Sequence, residues 1–85
     1  MSDFIISGGN LEGYNGTETN LVIPNRIDGN VVTSIGVGAF RDKELRSVMI
    51  PVTVRAIYDD AFSMNHRSTV TIPNSVEEIF DHAFE

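Results

Sequence analysis

Two apolar patterns recur along this chain, and both recur on the same spacing. The shorter is an alternation: Val48-Met49-Ile50 and Val70-Thr71-Ile72 put an apolar residue at every second position, as a strand with one buried face does. Each run stops at a proline, Pro51 or Pro73, which has no N–H to give to a ladder and so closes the strand. The longer pattern is V-x-x-I-x-x-x-A-F, carried by Val32 to Phe40, Val54 to Phe62 and Val76 to Phe84. Val32, Val54 and Val76 stand 22 apart, as do Ile35, Ile57 and Ile79, and Phe40, Phe62 and Phe84. Ser47-Val48-Met49-Ile50-Pro51 and Thr69-Val70-Thr71-Ile72-Pro73 keep the same step. Asn20-Leu21-Val22-Ile23-Pro24 is a further copy, 27 before its successor, because Arg26-Ile27-Asp28-Gly29-Asn30 lengthens the first unit. Asp28-Gly29-Asn30 is a turn signal, so the insertion predicts a surface hairpin or loop.

A unit of about 20–29 residues cannot close a core alone, but stacked units bury one another's apolar faces. Strands in such a stack lie about 4.8 Å apart, which sets Val48 over Val70, Ile50 over Ile72, and Phe40 over Phe62 over Phe84. The pattern therefore predicts a mainly β repeat solenoid of about three rungs. Each rung runs strand, proline bend, short extended stretch and tight turn. The turn, Asp59-Asp60-Ala61-Phe62 or Asp81-His82-Ala83-Phe84, suits one helical or 3₁₀ turn that drives the Phe inward. Residues 1–20, with Phe4 to Tyr14 foremost, predict an N-terminal β-hairpin cap. Residues 21–85 form the repeats, in rungs of about 21–44, 45–66 and 67–85. One column is interrupted: Leu45 is a core position, but its counterpart is Arg67, so the third rung is looser there or Met64 fills the space. The chain stops at Phe84-Glu85, directly after an A-F, which suggests a fragment of a longer array or an open rung that associates end to end with another copy.

Pro51 to Phe62 and Pro73 to Phe84 carry the pattern I-P-x-x-V-x-x-I-x-x-x-A-F, which resembles the BspA-like, or Treponema pallidum type, leucine-rich repeats. The resemblance runs from about residue 11 to residue 84 and is specific, because several positions match in phase more than once. The chain departs from the family in two respects. Its repeats are a residue shorter than is common there, and the segments that follow the A-F, Arg41-Asp42-Lys43-Glu44 and Ser63-Met64-Asn65-His66, have no Cys where the family commonly has a Cys or similar small residue. The resemblance implies a right-handed leucine-rich-repeat coil in a surface-associated or secreted protein, bacterial or from a protist, that acts in adhesion or host-protein binding. It implies no enzyme, and it fixes no functional residue position by position.

Composition narrows the function classes further. Eighty-five residues make one domain at most, one that buries only about 60–65% of its unfolded surface. With 41% hydrophobic and 21% charged residues, the chain lies far from the disordered range. The lack of cysteine removes disulfide frameworks and thiolate metal sites. A net charge of −6 without a basic cluster argues against nucleic acid and against anionic membranes. No apolar run is long enough for membrane insertion, and Met1-Ser2-Asp3-Phe4 opens without the basic region of a signal peptide.

Candidate chemistry is thin, and neither a catalytic group nor a cofactor is expected. His66 and His82 sit at different places in the period and have no partner ligands for zinc, so no metal site is expected. Asp59 and Asp81 are equivalent on adjacent rungs. They could act as paired carboxylates or hold Ca²⁺, but they read better as caps whose side chains accept the N–H groups of the tight turn. Asn15-Gly16-Thr17 fits a glycosylation acceptor and reads better as a turn; Ser7-Gly8-Gly9-Asn10 reads as a hairpin loop. The surface most suited to a protein partner is the outward side of the strands: Ser47 and Met49, with Thr69 and Thr71 one rung on, extended by Asn20 and Val22. Ordinary β-formers on a solvated sheet, a structural spacer and an intracellular interaction domain are the competing readings.

Overall fold

Leu21, Val48 and Val70 occupy the middle of three short strands that lie side by side, and this in-register stacking organises the whole chain. The structure is a computed structural model that describes residues 3–65 and 69–83. The strands are β1 (Phe4–Ser7), β2 (Asn10–Tyr14), β3 (Asn20–Val22), β4 (Arg26–Ile27) and β5 (Asn30–Val31) in the first part of the chain. They are followed by β6 (Ser34–Ile35), β7 (Ser47–Met49), β8 (Ala56–Ile57), β9 (Thr69–Thr71) and β10 (Glu78–Ile79). The chain coils into a mainly β solenoid of about three turns, with no helix among the described residues.

Two parallel sheets form the walls. One is β3-β7-β9, paired Asn20↔Ser47↔Thr69, Leu21↔Val48↔Val70 and Val22↔Met49↔Thr71. The other is β1-β2-β6-β8-β10, parallel except for the β1–β2 hairpin. Its register sets Leu11, Ile35, Ile57 and Ile79 in one column. The hairpin thus joins this sheet where a further rung would pair. Leu11 takes the Ile position, and the Tyr14 ring lies 5.6 Å from Phe40, in line with the Phe column. The inserted segment of the first repeat is the β4–β5 hairpin, turned at Asp28 (φ 51°) and Gly29 (φ 85°), with Ile27 returned to the core.

Inside the coil, Phe40 and Phe62 stack face to face, with centroids 5.2 Å apart and planes 3° apart. Both rings are buried, and Phe4 and Tyr14 continue the column at the hairpin. Phe84 and Arg67 lie outside the described residues. Val32, Val54, Ile35, Ile57 and Leu45 are wholly enclosed. In the last described rung the same columns open to solvent: Ile72 is 41% exposed and Ile79 49%, against 6% for Ile50 and none for Ile57. The in-out-in alternation is therefore complete in β7 and weakened in β9, which has no later rung packed on it among the described residues.

The tight turns differ from the helical or 3₁₀ form expected. Gly36 to Ala39 and Tyr58 to Ala61 each close with an i→i+3 bond of 3.2 Å, and a second such bond follows from Gly38 to Arg41 and from Asp60 to Ser63. The third residue of the first turn is left-handed, with φ 64° at Gly38 and 58° at Asp60; His82 repeats it at 57°. A positive φ there makes the turn type II and takes it out of helical geometry. The twist turns backbone groups sideways into a ladder between rungs. Phe40 N–H donates to Ala61 O at 2.7 Å, and Phe62 N–H to Ala83 O at 2.7 Å. The N–H groups of the turn go to carbonyls. Asp59 and Asp81 accept through their backbone oxygens, from Gly38 N–H at 3.0 Å and Asp60 N–H at 3.3 Å, and the expected carboxylate caps are not made.

Asn65 closes the stretch after the A-F. Its Oδ1 accepts from Lys43 and Leu45 N–H, each at 3.0 Å, and its Nδ2 donates to Phe40 O at 2.7 Å and Phe62 O at 2.9 Å. One amide thus joins two rungs where the repeat has no strand. Met64 does not fill the core beside Leu45. It is 56% exposed, with Sδ 3.5 Å from Arg41 Nη2. Asn15-Gly16-Thr17 runs without a turn. Gly16 is required for another reason: a Cβ there would collide with the Tyr14 ring, whose hydroxyl accepts from Glu18 N–H at 3.0 Å.

Candidate functional site

A three-residue strand buries its middle side chain and turns the other two outward. In β3, β7 and β9 the buried residues are Leu21, Val48 and the half-buried Val70. The outward residues make two columns: Asn20, Ser47 and Thr69 in one, Val22, Met49 and Thr71 in the other. The four residues expected from the sequence, Ser47, Met49, Thr69 and Thr71, thus lie on two adjacent strands in register, and Asn20 and Val22 extend the patch to β3. Val22 is 64% exposed and Met49 55%, side by side. Ser47 Oγ donates to Asn20 Oδ1 at 2.9 Å, which holds the polar column across two rungs. None of the nine residues of β3, β7 and β9 is charged, although the chain carries −6. The patch has one column of Val22, Met49 and Thr71 and one of hydroxyl and amide groups, and it rests on a backbone ladder that fixes its spacing. It has hydrogen-bonding and van der Waals capacity, and its three strands carry no carboxylate, amine or imidazole that could activate the Ser47, Thr69 or Thr71 hydroxyl.

The other residues singled out in the sequence do not converge. His66 lies outside the described residues. His82 holds the left-handed position of its turn, on the exterior. Asp59 and Asp81 are exposed on successive turns. Among the described residues no group of three His, Cys, Asp or Glu side chains could hold a metal ion, and no helix is long and apolar enough to cross a membrane. Gly8 and Gly9 form the loop of the β1–β2 hairpin, and the Gly9 carbonyl accepts from Thr33 N–H at 2.8 Å, tying the hairpin to the first rung.

Two surface features were not read from the sequence. One is a groove across the rungs between Val31 and Glu77, crossed by an exposed Arg55–Glu77 ion pair of 3.3 Å. Arg55 and Glu77 are 22 apart, so their spacing alone placed them side by side. The other is an exterior aromatic stack of Tyr58 and Phe80, centroids 5.0 Å apart and planes 8° apart. Its signal was the aromatic that follows Ile57 and Ile79 one period apart.

Stacked rungs, two parallel walls, an internal aromatic column and an uncharged outer strand face define a leucine-rich-repeat coil, a scaffold of the kind that serves as a non-catalytic binding surface. The chain belongs to the BspA type leucine rich repeat region (6 copies), whose family model matches residues 14–85. No curated protein and no solved structure matches it. Membership in the family suggests a protein-interaction repeat module, and proteins of this type are often surface-associated.

Proposed function

We propose that this chain binds a protein partner through the outer face of β3, β7 and β9, as an adhesive module of a bacterial surface or secreted protein. One observation supports this face over the rest of the coil: Val22 and Met49 are exposed side by side, continued by Thr71, on a rigid patch that carries no charge in a −6 chain. Apolar residues that face water on an ordered sheet gain by being covered, and a Met side chain adapts to a partner at little strain. The surface location rests on the habit of the family.

The test is saturable binding of the fluorescently labelled chain to intact epithelial cells, read by flow cytometry. Binding is expected to disappear when the cells are first treated with protease and to fall at least tenfold in the Met49→Asp/Thr71→Asp variant. Unchanged affinity of that variant discards the face, and absence of saturable binding discards the adhesive role.

A second reading rests on the opened columns of the last described rung. Ile72, Ile79 and Phe80, all more than a third exposed, offer an apolar end on which the same face of a second copy could pack. Sedimentation velocity tests it: a concentration-dependent dimer that Ile79→Lys abolishes supports end-to-end association, and a monomer at all concentrations contradicts it.

A further inference from the structure

Gly36, Tyr58 and Phe80 are the same position of successive rungs. Their backbones are held alike: Gly36 N–H donates to Leu11 O at 2.7 Å, Tyr58 N–H to Ile35 O at 2.9 Å, and Phe80 N–H to Ile57 O at 2.9 Å. Side chains at this position stack along the coil, as Tyr58 and Phe80 do. At Gly36 the column has no side chain. One face of the Tyr58 ring is covered by Phe80, and the other looks over the glycine into a slot of about 330 Å³ lined by Asn10, Ser34, Gly36, Val37 and Tyr58. That volume lies at the lower end of the roughly 300–1,000 Å³ range of small-ligand sites.

The missing ring is built in by the packing below it. A Cβ on Gly36 would stand 3.0 Å from Asn10 Nδ2 and 3.0 Å from Leu11 O, so Asn10 takes the space a side chain would need. Asn10 Oδ1 accepts from Ser34 Oγ at 2.8 Å, which fixes the amide plane. Nδ2 has no protein acceptor among the described residues, and the second lone pair of the Ser34 hydroxyl is available too. The slot therefore offers one aromatic face, one amide donor and one hydroxyl, with a short apolar wall at Val37, 69% exposed.

We propose that this slot binds a neutral pyranose, the ring of a surface glycan, stacked on Tyr58 as the next layer of the aromatic column. The chemistry of the lining selects this occupant. No lining residue is charged, so a guanidinium or quaternary ammonium finds no carboxylate, and a phosphate or sialic acid finds no cation. The flat aromatic face asks for a flat apolar surface, which a pyranose supplies through its axial C–H groups. The amide and hydroxyl ask for hydrogen-bonding groups at the ring edge, which its hydroxyls supply and an aliphatic or Trp side chain supplies less well. The slot lies on the sheet of β2, β6 and β8, away from the β3-β7-β9 face, and does not depend on the protein-binding reading.

The experiment is a titration of the isotope-labelled chain with methyl β-D-galactopyranoside and methyl β-D-glucopyranoside, followed by NMR. N-acetyl-tryptophanamide and N-acetyl-argininamide serve as alternative probes. At least one glycoside is expected to shift the Asn10 side-chain amide, the Gly36 amide and the Tyr58 ring together, with a Kd on the order of millimolar. Saturation transfer should be strongest to the axial C–H protons. Tyr58→Ala should weaken this roughly tenfold. Val37→Trp, an exposed substitution that fills the slot without touching the core, should abolish it. Phe80→Ala, on the covered side of the stack, should change affinity less than about twofold, since it leaves the open ring face in place. No joint shift with either glycoside overturns the proposal. So do shifts that persist in a folded Tyr58→Ala or Val37→Trp variant, and so does a slot that takes the tryptophan or arginine amide and neither sugar.

Discussion

Asn65 carries more of the structure than any other polar side chain described. Five backbone groups from two rungs meet on its amide, and two of them, Lys43 N–H and Leu45 N–H, hold the backbone at the enclosed Leu45. Removing it leaves those groups without partners in a part-buried place, which costs about 2–3 kcal/mol. Asn65→Ala should lower the denaturant midpoint accordingly. Asn65→Asp should do no better, because a carboxylate can accept from the two N–H groups but turns an oxygen on the carbonyls of Phe40 and Phe62. Equal stability of the wild type and both variants, read by urea titration with circular dichroism, would remove Asn65 from this role. Asp60 makes the opposite case. It holds φ 58° where the first rung has Gly38. Asp60→Gly should stabilise by about 0.5–1 kcal/mol, after the higher entropy of glycine in the unfolded chain is counted. Asp60→Val should destabilise by about 1 kcal/mol or more, since a β-branched residue adopts that backbone poorly. Thermal melts check both.

At the scale of elements, what was legible followed from spacing. Identical residues one period apart, such as Ile35 and Ile57 or Phe40 and Phe62, had to meet if the rungs stacked, and they do, in the expected register. Which side chains of these strands turn outward was legible from the alternation: Val48 and Ile50 are apolar and buried, and Met49 between them faces out. The tight turn was less so. Asp59-Asp60-Ala61-Phe62 reads as helical in isolation, and only its alignment with Gly38 signals a left-handed residue. The part of Leu11 and Tyr14 in the coil could not be read, because the hairpin shares neither the V-x-x-I spacing nor the A-F. Only the pairing of β2 with β6 shows that the hairpin joins the sheet where a further rung would pair. Asn65 was passed over because its work is done by one side chain in a segment where nothing repeats. The Tyr58 slot was hidden for a related cause, since it consists of a residue that is absent from a column.

The whole molecule is a short stack in which each rung is held by its neighbours, so protection should follow position. Amides of β6 and β8, covered on both sides, should exchange with solvent more slowly than those of β9 and β10, where Ile72 and Ile79 open to water. Uniform protection would contradict this gradient. A stack of this size has little stability to spare, toward the lower end of about 5–15 kcal/mol. Phe62→Ala removes the centre of the buried column at a cost of about 3–5 kcal/mol, most of what such a stack has, so its thermal midpoint should fall far below that of the wild type in melts followed by circular dichroism.

Contacts between rungs test the coil itself. In nuclear Overhauser spectra of the chain in solution, the ring protons of Phe40 should see those of Phe62, and the methyl groups of Ile35 should see those of Ile57 and Leu11. Spectra in which these groups show only neighbours close in sequence, with the two Phe rings averaged in water, would mean that the repeats do not stack.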